Sequence, residues 1–114
     1  GETRKTLQQT VDLAVRLNTT TMAMGIMVPY PGTDVYKMVL SNKGGYRLLS
    51  KDWSTYDKYG GKALEIKGLP ISELERWQRK ALLFFYIKNF RFLELLKFAI
   101  GYRRVIISLL LSKY

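Results

Sequence analysis

Residues 21–36, TMAMGIMVPYPGTDVY, decide how this chain folds. The first part of the stretch, 21–28, is almost entirely apolar, which is typical of a strand buried on both faces of a parallel sheet. The sequence Pro29-Tyr30-Pro31-Gly32 then ends the strand, because proline cannot donate to a β ladder. Thr33 is placed to cap a short helix over 34–40. The stretch therefore predicts a strand, a turn at its carboxyl end and a helix that follows at once.

The segments next to this stretch are predicted from helix and turn signals. Before it, Thr3 is a suitable N-cap for a helix over 4–18. After it, residues 45–68 are predicted to be irregular, with one short strand at 63–67. The apolar stripe of the first helix recurs at spacings of four and three and is formed by Leu7, Val11, Ala14 and Leu17.

The last third of the chain is predicted to be helical. Ser72-Glu73-Leu74-Glu75 has the pattern of a capping box, so it predicts a helix that begins there and ends near Asn89. Residues 90–114 predict two shorter helices divided at Gly101. The side chains that the long helix is expected to bury are Leu74, Trp77, Ala81, either Phe84 or Phe85, and the stem of Lys88.

Composition limits the chemistry that these residues can perform. The 114 residues contain no cysteine and no histidine, which excludes disulfides, zinc or iron–sulfur ligation, thiol nucleophiles and imidazole bases within them. The sequence contains no uninterrupted run of 18 apolar residues, which is about the length that a helix needs to span a bilayer. The net charge of +10 indicates nucleic acid or an anionic membrane surface as a partner.

The C-terminal segment 79–114 is the most basic part, with eight Lys and Arg against one acid, Glu94. Its interleaved apolar residues favour either peripheral contact with a membrane or a solvated basic face over packed helices. Nucleic acid is the less favoured partner, because the aromatic residues between Phe84 and Phe98 fall at helical spacing, which is typical of a core.

Four motifs follow one another in a defined order. Gly1-Glu2-Thr3 precedes the first helix, Pro29–Thr33 (PYPGT) follows the apolar stretch, and Asp52-Trp53-Ser54-Thr55-Tyr56-Asp57 lies in the irregular region. Leu69–Ser72 leads into the long helix, and Ala81–Tyr86 (ALLFFY) lies within it. In this order the chain resembles the C-terminal part of the catalytic domain of radical S-adenosylmethionine enzymes. The most similar members are those with a cobalamin-binding domain.

The resemblance implies an α/β fold: the C-terminal fragment of a partial (β/α)₆ TIM-like barrel, followed by a mainly helical extension. It divides the chain into barrel units at 1–45, a post-barrel loop region at 46–71 and a helical extension at 72–114. In the parent enzyme a [4Fe–4S] cluster cleaves S-adenosylmethionine to a 5′-deoxyadenosyl radical, and cobalamin is a further expected cofactor. The expected reaction is a radical methylation or rearrangement of an unactivated carbon.

This chain departs from the family pattern, because it lacks the Cys-x₃-Cys-x₂-Cys loop that holds the cluster. We therefore expect it to be inactive alone, and to be a cytoplasmic fragment whose partner is the remainder of its own barrel. It begins with Gly1 in the middle of a turn motif, which also favours truncation. The alternative is a non-enzymatic basic helical module that binds a membrane surface or a protein partner.

Ligands of such barrels lie beyond the carboxyl ends of the strands. The resemblance therefore places Glu2, Met27, Val28 and Tyr30 near S-adenosylmethionine or a small-molecule or lipid-like substrate. The alternative for the turn residues is that they only end a strand, and for Glu2 that an acid is favourable at any helix N-terminus. Asp52-Trp53 is expected either to cover the barrel mouth as a lid or to close a loop onto the core.

Overall fold

A computed structural model describes residues 1–57, 62–101 and 103. Within them the fold is mixed α/β, which confirms the predicted α/β fold class. The helices are α1 (Arg4–Leu17), α2 (Asp34–Leu40), α3 (Ile71–Lys88) and α4 (Phe92–Gly101), with one 3₁₀ turn at Trp53–Thr55. The strands β1 (Tyr46–Leu48) and β2 (Leu64–Ile66) pair antiparallel, with Tyr46 opposite Ile66 and Leu48 opposite Leu64.

Two predicted helix starts are confirmed by their caps. The Thr3 hydroxyl accepts from the Thr6 N–H at 3.2 Å, and the Thr6 hydroxyl accepts from the Thr3 N–H at 2.8 Å. The Thr33 hydroxyl accepts from the Tyr36 N–H at 3.2 Å and begins α2. In both cases a short hydroxyl side chain satisfies an N–H group that the helix leaves unpaired.

The predicted capping box of α3 is wrong. The helix begins at Ile71 with Pro70 as its N-cap, so Ser72 lies inside the first turn and no side chain caps the helix. The Pro70 carbonyl accepts from the N–H groups of Glu73 at 2.9 Å and Leu74 at 3.1 Å. Proline holds the extended conformation that a helix entry needs, so the chain turns into the helix directly after it.

The core lies between α1, α3 and the hairpin. Leu7, Leu69 and Leu74 form one buried cluster, and Phe85 and Ala81 are completely buried on α3. The choice between Phe84 and Phe85 is thereby settled in favour of Phe85, since Phe84 is only half-buried.

Two side chains that were predicted to be buried are exposed. Leu17 is in the last turn of α1, and the apolar stripe of that helix is covered only over its earlier turns. The Lys88 stem is not buried; its Nζ lies 5.4 Å from the ring centroid of half-buried Phe84, so the side chain runs along that ring at the surface.

The predicted strand over 21–28 is not formed, and its predicted burial on both faces is wrong. The residues form no helix, turn or bend, and their burial alternates with the period of two that is typical of an extended chain: Met22, Met24, Ile26 and Val28 are half-buried while the residues between them are exposed. Met24 and Ile26 pack against the Leu7 cluster. A strand requires a hydrogen-bonded neighbour, and among the described residues no strand pairs with this one. We call residues 21–28 the extended segment.

The rest of the chain shows one confirmed and one missed strand. The short strand predicted at 63–67 is β2, but its partner β1 lies in a region predicted to be irregular. The first of the two C-terminal helices is confirmed as α4, which is described as far as Gly101. The predicted division at Gly101 is not confirmed, because Arg103 is also helical, and the rest of the second predicted helix lies outside the described residues.

Candidate functional site

A cavity of about 250 Å³ lies where the extended segment meets α3, the hairpin and the N-terminus of α1. It contains two of the four predicted site residues, Glu2 and Met27. The structure thus brings together two side chains that are far apart in the sequence. The other residues that line the cavity are Met24, Gly25, Ile26, Tyr46, Leu64, Ile66, Leu74 and Gln78.

Glu2 lies just before α1, where its carboxylate accepts a hydrogen bond from the Thr6 hydroxyl. The side chain is exposed, so a further partner has access to the carboxylate. A negative charge at a helix N-terminus is favourable in itself. The same carboxylate is also an acceptor for hydroxyl or amine groups of a ligand in the cavity.

Met27 is on the exposed side of the extended segment, with 39% of its surface accessible. Its neighbour Val28 points the opposite way, is half-buried, and does not line the cavity. The Val28 carbonyl accepts from the Tyr30 N–H at 3.0 Å, which makes a tight turn around the buried Pro29. Pro29, which sequence reasoning treated only as a strand breaker, therefore fixes the direction in which the segment ends.

Tyr30 contacts the 52–57 loop rather than the cavity. Its hydroxyl donates to the Tyr56 carbonyl at 3.3 Å, and the two rings meet edge to face with centroids 6.0 Å apart. Trp53 stacks on Tyr56 at 6.3 Å, with ring planes 9° apart, yet Trp53 is 70% exposed. The alternative in which Trp53 closes the loop onto the core is therefore wrong. Tyr56, which the sequence analysis did not single out, connects the loop to the turn.

Two titratable groups in the 52–57 loop are perturbed by their surroundings. The Ser54 N–H donates to the Asp52 carboxylate at 2.9 Å, and this hydrogen bond lowers the pKa of Asp52. Burial raises the pKa of the Tyr56 hydroxyl. Asp52 is therefore ionised at neutral pH, and Tyr56 is a neutral hydroxyl that donates to the Ser50 carbonyl at 3.3 Å.

Gln78 holds the extended segment against α3. Its Nε2 donates to the Met24 carbonyl at 2.6 Å, and the side chain is 6% exposed. A glutamine four residues after Leu74 and three before Ala81 lies in the apolar stripe of the helix. That polar residue in an apolar stripe was the signal for a buried hydrogen bond, and sequence reasoning missed it.

A bidentate ion pair joins the two helices beside the cavity. Arg4 Nε and Nη2 each lie 2.6 Å from a carboxylate oxygen of Glu73. The hydrogen bond from Arg4 lowers the pKa of Glu73 and raises that of Arg4. The pair fixes the N-terminus of α1, and with it Glu2, relative to α3.

The residues of this chain do not supply every group that the cofactors implied by the resemblance would need. A [4Fe–4S] cluster does not fit, because the chain has no cysteine to ligate iron. The described residues also bring no three acidic side chains together as metal ligands. The cavity, about 250 Å³, is smaller than the roughly 300–1,000 Å³ of sites that enclose a whole small molecule or cofactor, so these residues alone do not enclose one.

Comparison with known proteins finds no matching family model, no similar curated protein and no similar solved structure. None of the helices within residues 1–57, 62–101 and 103 is long and apolar enough to cross a membrane.

Proposed function

We propose that this chain is the C-terminal part of the catalytic module of a radical S-adenosylmethionine enzyme. It contributes one strand to the barrel of that module and residues to one side of its ligand site. The parent enzyme uses S-adenosylmethionine, a [4Fe–4S] cluster and cobalamin. The cluster ligands come from outside this chain, which is inactive by itself. The proposed reaction is a radical methylation or rearrangement of an unactivated carbon.

The observation that supports this proposal most strongly is the extended segment. Its burial alternates with the period of a β-strand, and three of the four residues on its exposed side, Ala23, Gly25 and Met27, are apolar, with Thr21 the exception. An extended chain that is largely apolar on both sides and hydrogen-bonded to no described strand is what remains when one strand is considered without its sheet. The proposed partner is therefore the remainder of a parallel barrel.

The position of the candidate site agrees with this proposal. The PYPGT turn follows the carboxyl end of the extended segment, where barrel ligands bind. Met27 presents a polarizable thioether there, and Glu2 lines the same cavity from the turn before α1. Trp53, stacked on Tyr56 and largely exposed, is proposed as part of a lid over this end.

The first test is the coding sequence upstream of Gly1. A Cys-x₃-Cys-x₂-Cys motif there supports the proposal. A start codon directly before Gly1 contradicts it and leaves the non-enzymatic helical module, bound to a membrane surface or a protein, as the function to test.

The second test is biochemical. The full coding product, prepared without oxygen and reduced, is expected to cleave S-adenosylmethionine to 5′-deoxyadenosine. Met27→Leu is expected to raise the KM for S-adenosylmethionine by about two- to tenfold, the range of a thioether contact with an aromatic face. Met38→Leu on α2 is the matched control and is expected to leave the KM unchanged. Equal effects of the two substitutions would remove Met27 from the site.

A further inference from the structure

We propose that the corner between α3 and α4 docks on an anionic phospholipid surface, with Phe90 as its apolar anchor. This surface is separate from the cavity that contains Glu2 and Met27, so the proposal does not depend on the enzymatic function proposed above.

Phe90 follows the end of α3 and has a backbone conformation that is unusual for its residue type. The Phe90 N–H donates to the Ile87 carbonyl at 3.1 Å, and the Arg91 N–H donates to the Tyr86 carbonyl at 2.8 Å. This is a Schellman motif, whose left-handed residue is usually glycine or asparagine. Phe90 occupies it with a φ of 55°. A bulky side chain in this conformation is uncommon and costs conformational energy.

The same motif at the end of α2 shows the usual solution. There the Asn42 N–H donates to the Val39 carbonyl at 3.2 Å, the Lys43 N–H donates to the Met38 carbonyl at 2.8 Å, and Asn42 has a φ of 53°. The left-handed residue after α1 is also an asparagine, Asn18. The third left-handed position of this kind is Phe90, and its phenylalanine does not ease the backbone conformation as an asparagine would.

The Phe90 side chain gains nothing from the core either. It is 83% exposed and contacts Phe92 edge to face, with the centroids 6.3 Å apart. The next residue, Arg91, is tied inward, since its Nη2 donates to the Asn18 carbonyl at 3.0 Å and to the Asn18 Oδ1 at 3.2 Å. The Schellman motif at the end of α3 and the hydrogen bonds from Arg91 to Asn18 together hold the Phe90 ring in solvent.

The helix after the corner continues this apolar surface. On α4 the exposed large side chains lie one, four and eight positions after the first, which places them on one face of the helix. The one acid of the helix, Glu94, is half-buried on the opposite side. The exposed apolar residues of this face are Phe92, Leu93, Leu96 and Ile100.

The charge of α3 and α4 selects the occupant. Between Arg76 and Arg103 the described sequence has seven basic residues and one acid, and six of the seven bases are exposed. A protein interface of ordinary composition is depleted of lysine. An apolar face bordered by lysine and arginine is typical of a helix that lies in the interface of an anionic membrane. The exposed bases are Arg76, Arg79, Lys80, Lys88, Lys97 and Arg103.

The test is flotation of the 114-residue chain with vesicles of phosphatidylcholine alone or mixed with phosphatidylserine. Flotation separates membrane-bound chain from aggregates, which sediment. The chain is expected to float with the anionic vesicles and to be released by high salt. Phe90→Gly is expected to weaken binding by about ten- to a hundredfold, because the anchor ring is lost.

The choice of glycine separates binding from folding. Glycine relieves the left-handed strain, so Phe90→Gly is expected to unfold at the same temperature as the parent chain or higher. Asn42→Gly makes the equivalent backbone change at α2 and is expected to bind as the parent does. Phe90→Trp keeps a large ring suited to the interface and is expected to float.

Three results would overturn the proposal. One is equal flotation with neutral and anionic vesicles. Another is unchanged binding of Phe90→Gly. The third is no flotation of the parent chain with anionic vesicles; if Phe90→Gly then also makes the chain monomeric, this face is a contact between copies of the chain.

Discussion

Replacement of Gln78 by leucine tests whether one hydrogen bond holds the extended segment in place. Leucine places an apolar side chain of similar size in the stripe of α3 but cannot donate to the Met24 carbonyl, which Gln78 contacts at 2.6 Å. Loss of a partner that leaves a buried acceptor unpaired costs about 1–3 kcal/mol. Because Met24 is only half-buried, water has partial access to its carbonyl, and we expect a value near the lower limit.

The four methionines supply the measurement. Three of them, Met22, Met24 and Met27, lie in the extended segment, and the fourth, Met38, lies on α2. Peroxide converts accessible methionine to the sulfoxide, and peptide mass spectrometry gives a rate for each position. In the parent chain Met27 is expected to react fastest of the three, since it is the exposed one.

In Gln78→Leu the oxidation of Met24 is expected to accelerate relative to that of Met38. If local opening limits the reaction, a loss of about 1 kcal/mol corresponds to a roughly fivefold faster rate. The control is Gln8→Leu, which removes a bond from Gln8 Nε2 to the Asp12 carboxylate at 2.8 Å on the exposed side of α1. That change is expected to leave Met24 unaffected. An unchanged ratio of Met24 to Met38 in Gln78→Leu would refute the proposed role of the glutamine.

Three further outcomes are expected. The isolated chain is expected to self-associate through its unpaired extended segment, and Ala23→Lys should reduce this association in sedimentation velocity, because a lysine blocks strand pairing at an edge. Phe85→Ala is expected to lower the free energy of unfolding in urea by about 3–5 kcal/mol, and Phe84→Ala by less, since only Phe85 is completely buried. The Arg4 contact lowers the pKa of Glu73, so its stabilisation is present above the unfolded pKa of about 4.3 and is lost as the pH falls through the lower folded value. Thermal unfolding of Glu73→Gln should lose that part of the pH dependence.

Local chemistry made most of the helices predictable. The caps at Thr3 and Thr33 follow from one hydroxyl and the N–H groups three residues later, so neighbouring sequence contains all the information. The start of α3 was harder, because Pro70 and Ser72 are competing signals two residues apart. Proline prevailed, since it sets its own backbone angle while the serine cap is optional.

The extended segment shows why its burial was not predictable. All of its residues are compatible with a core, so the sequence does not reveal which alternate positions are covered. That information lies in Gln78 and the Leu7 cluster, which are distant in sequence. The same holds for the candidate site, where the resemblance grouped four residues but the cavity includes only Glu2 and Met27.

The end of α3 near Asn89 is confirmed, but the residue that takes the left-handed conformation there does not follow from the sequence. Asn89 precedes Phe90, and asparagine tolerates the left-handed conformation better than phenylalanine does. The structure instead gives Asn89 a φ of −93° and Phe90 the positive φ. Register is set by the whole helix, whose buried residues Ala81, Phe85 and Tyr86 fix where the last turn ends. A position chosen by packing can therefore place an unsuitable residue in a strained conformation.

The extended segment and the Phe90 corner differ in chemistry, so one partner cannot satisfy both. The extended segment offers backbone N–H and carbonyl groups, and the sequence from 18 to 33 contains no charged residue. A strand that pairs with it is bound by hydrogen bonds and apolar contact, which salt hardly weakens. The Phe90 corner belongs to a helical region whose backbone is already bonded within its helices, and it is bordered by exposed bases. Its attraction to an anionic surface is screened by salt. Raising the ionic strength should therefore release the chain from vesicles while its self-association through the extended segment persists.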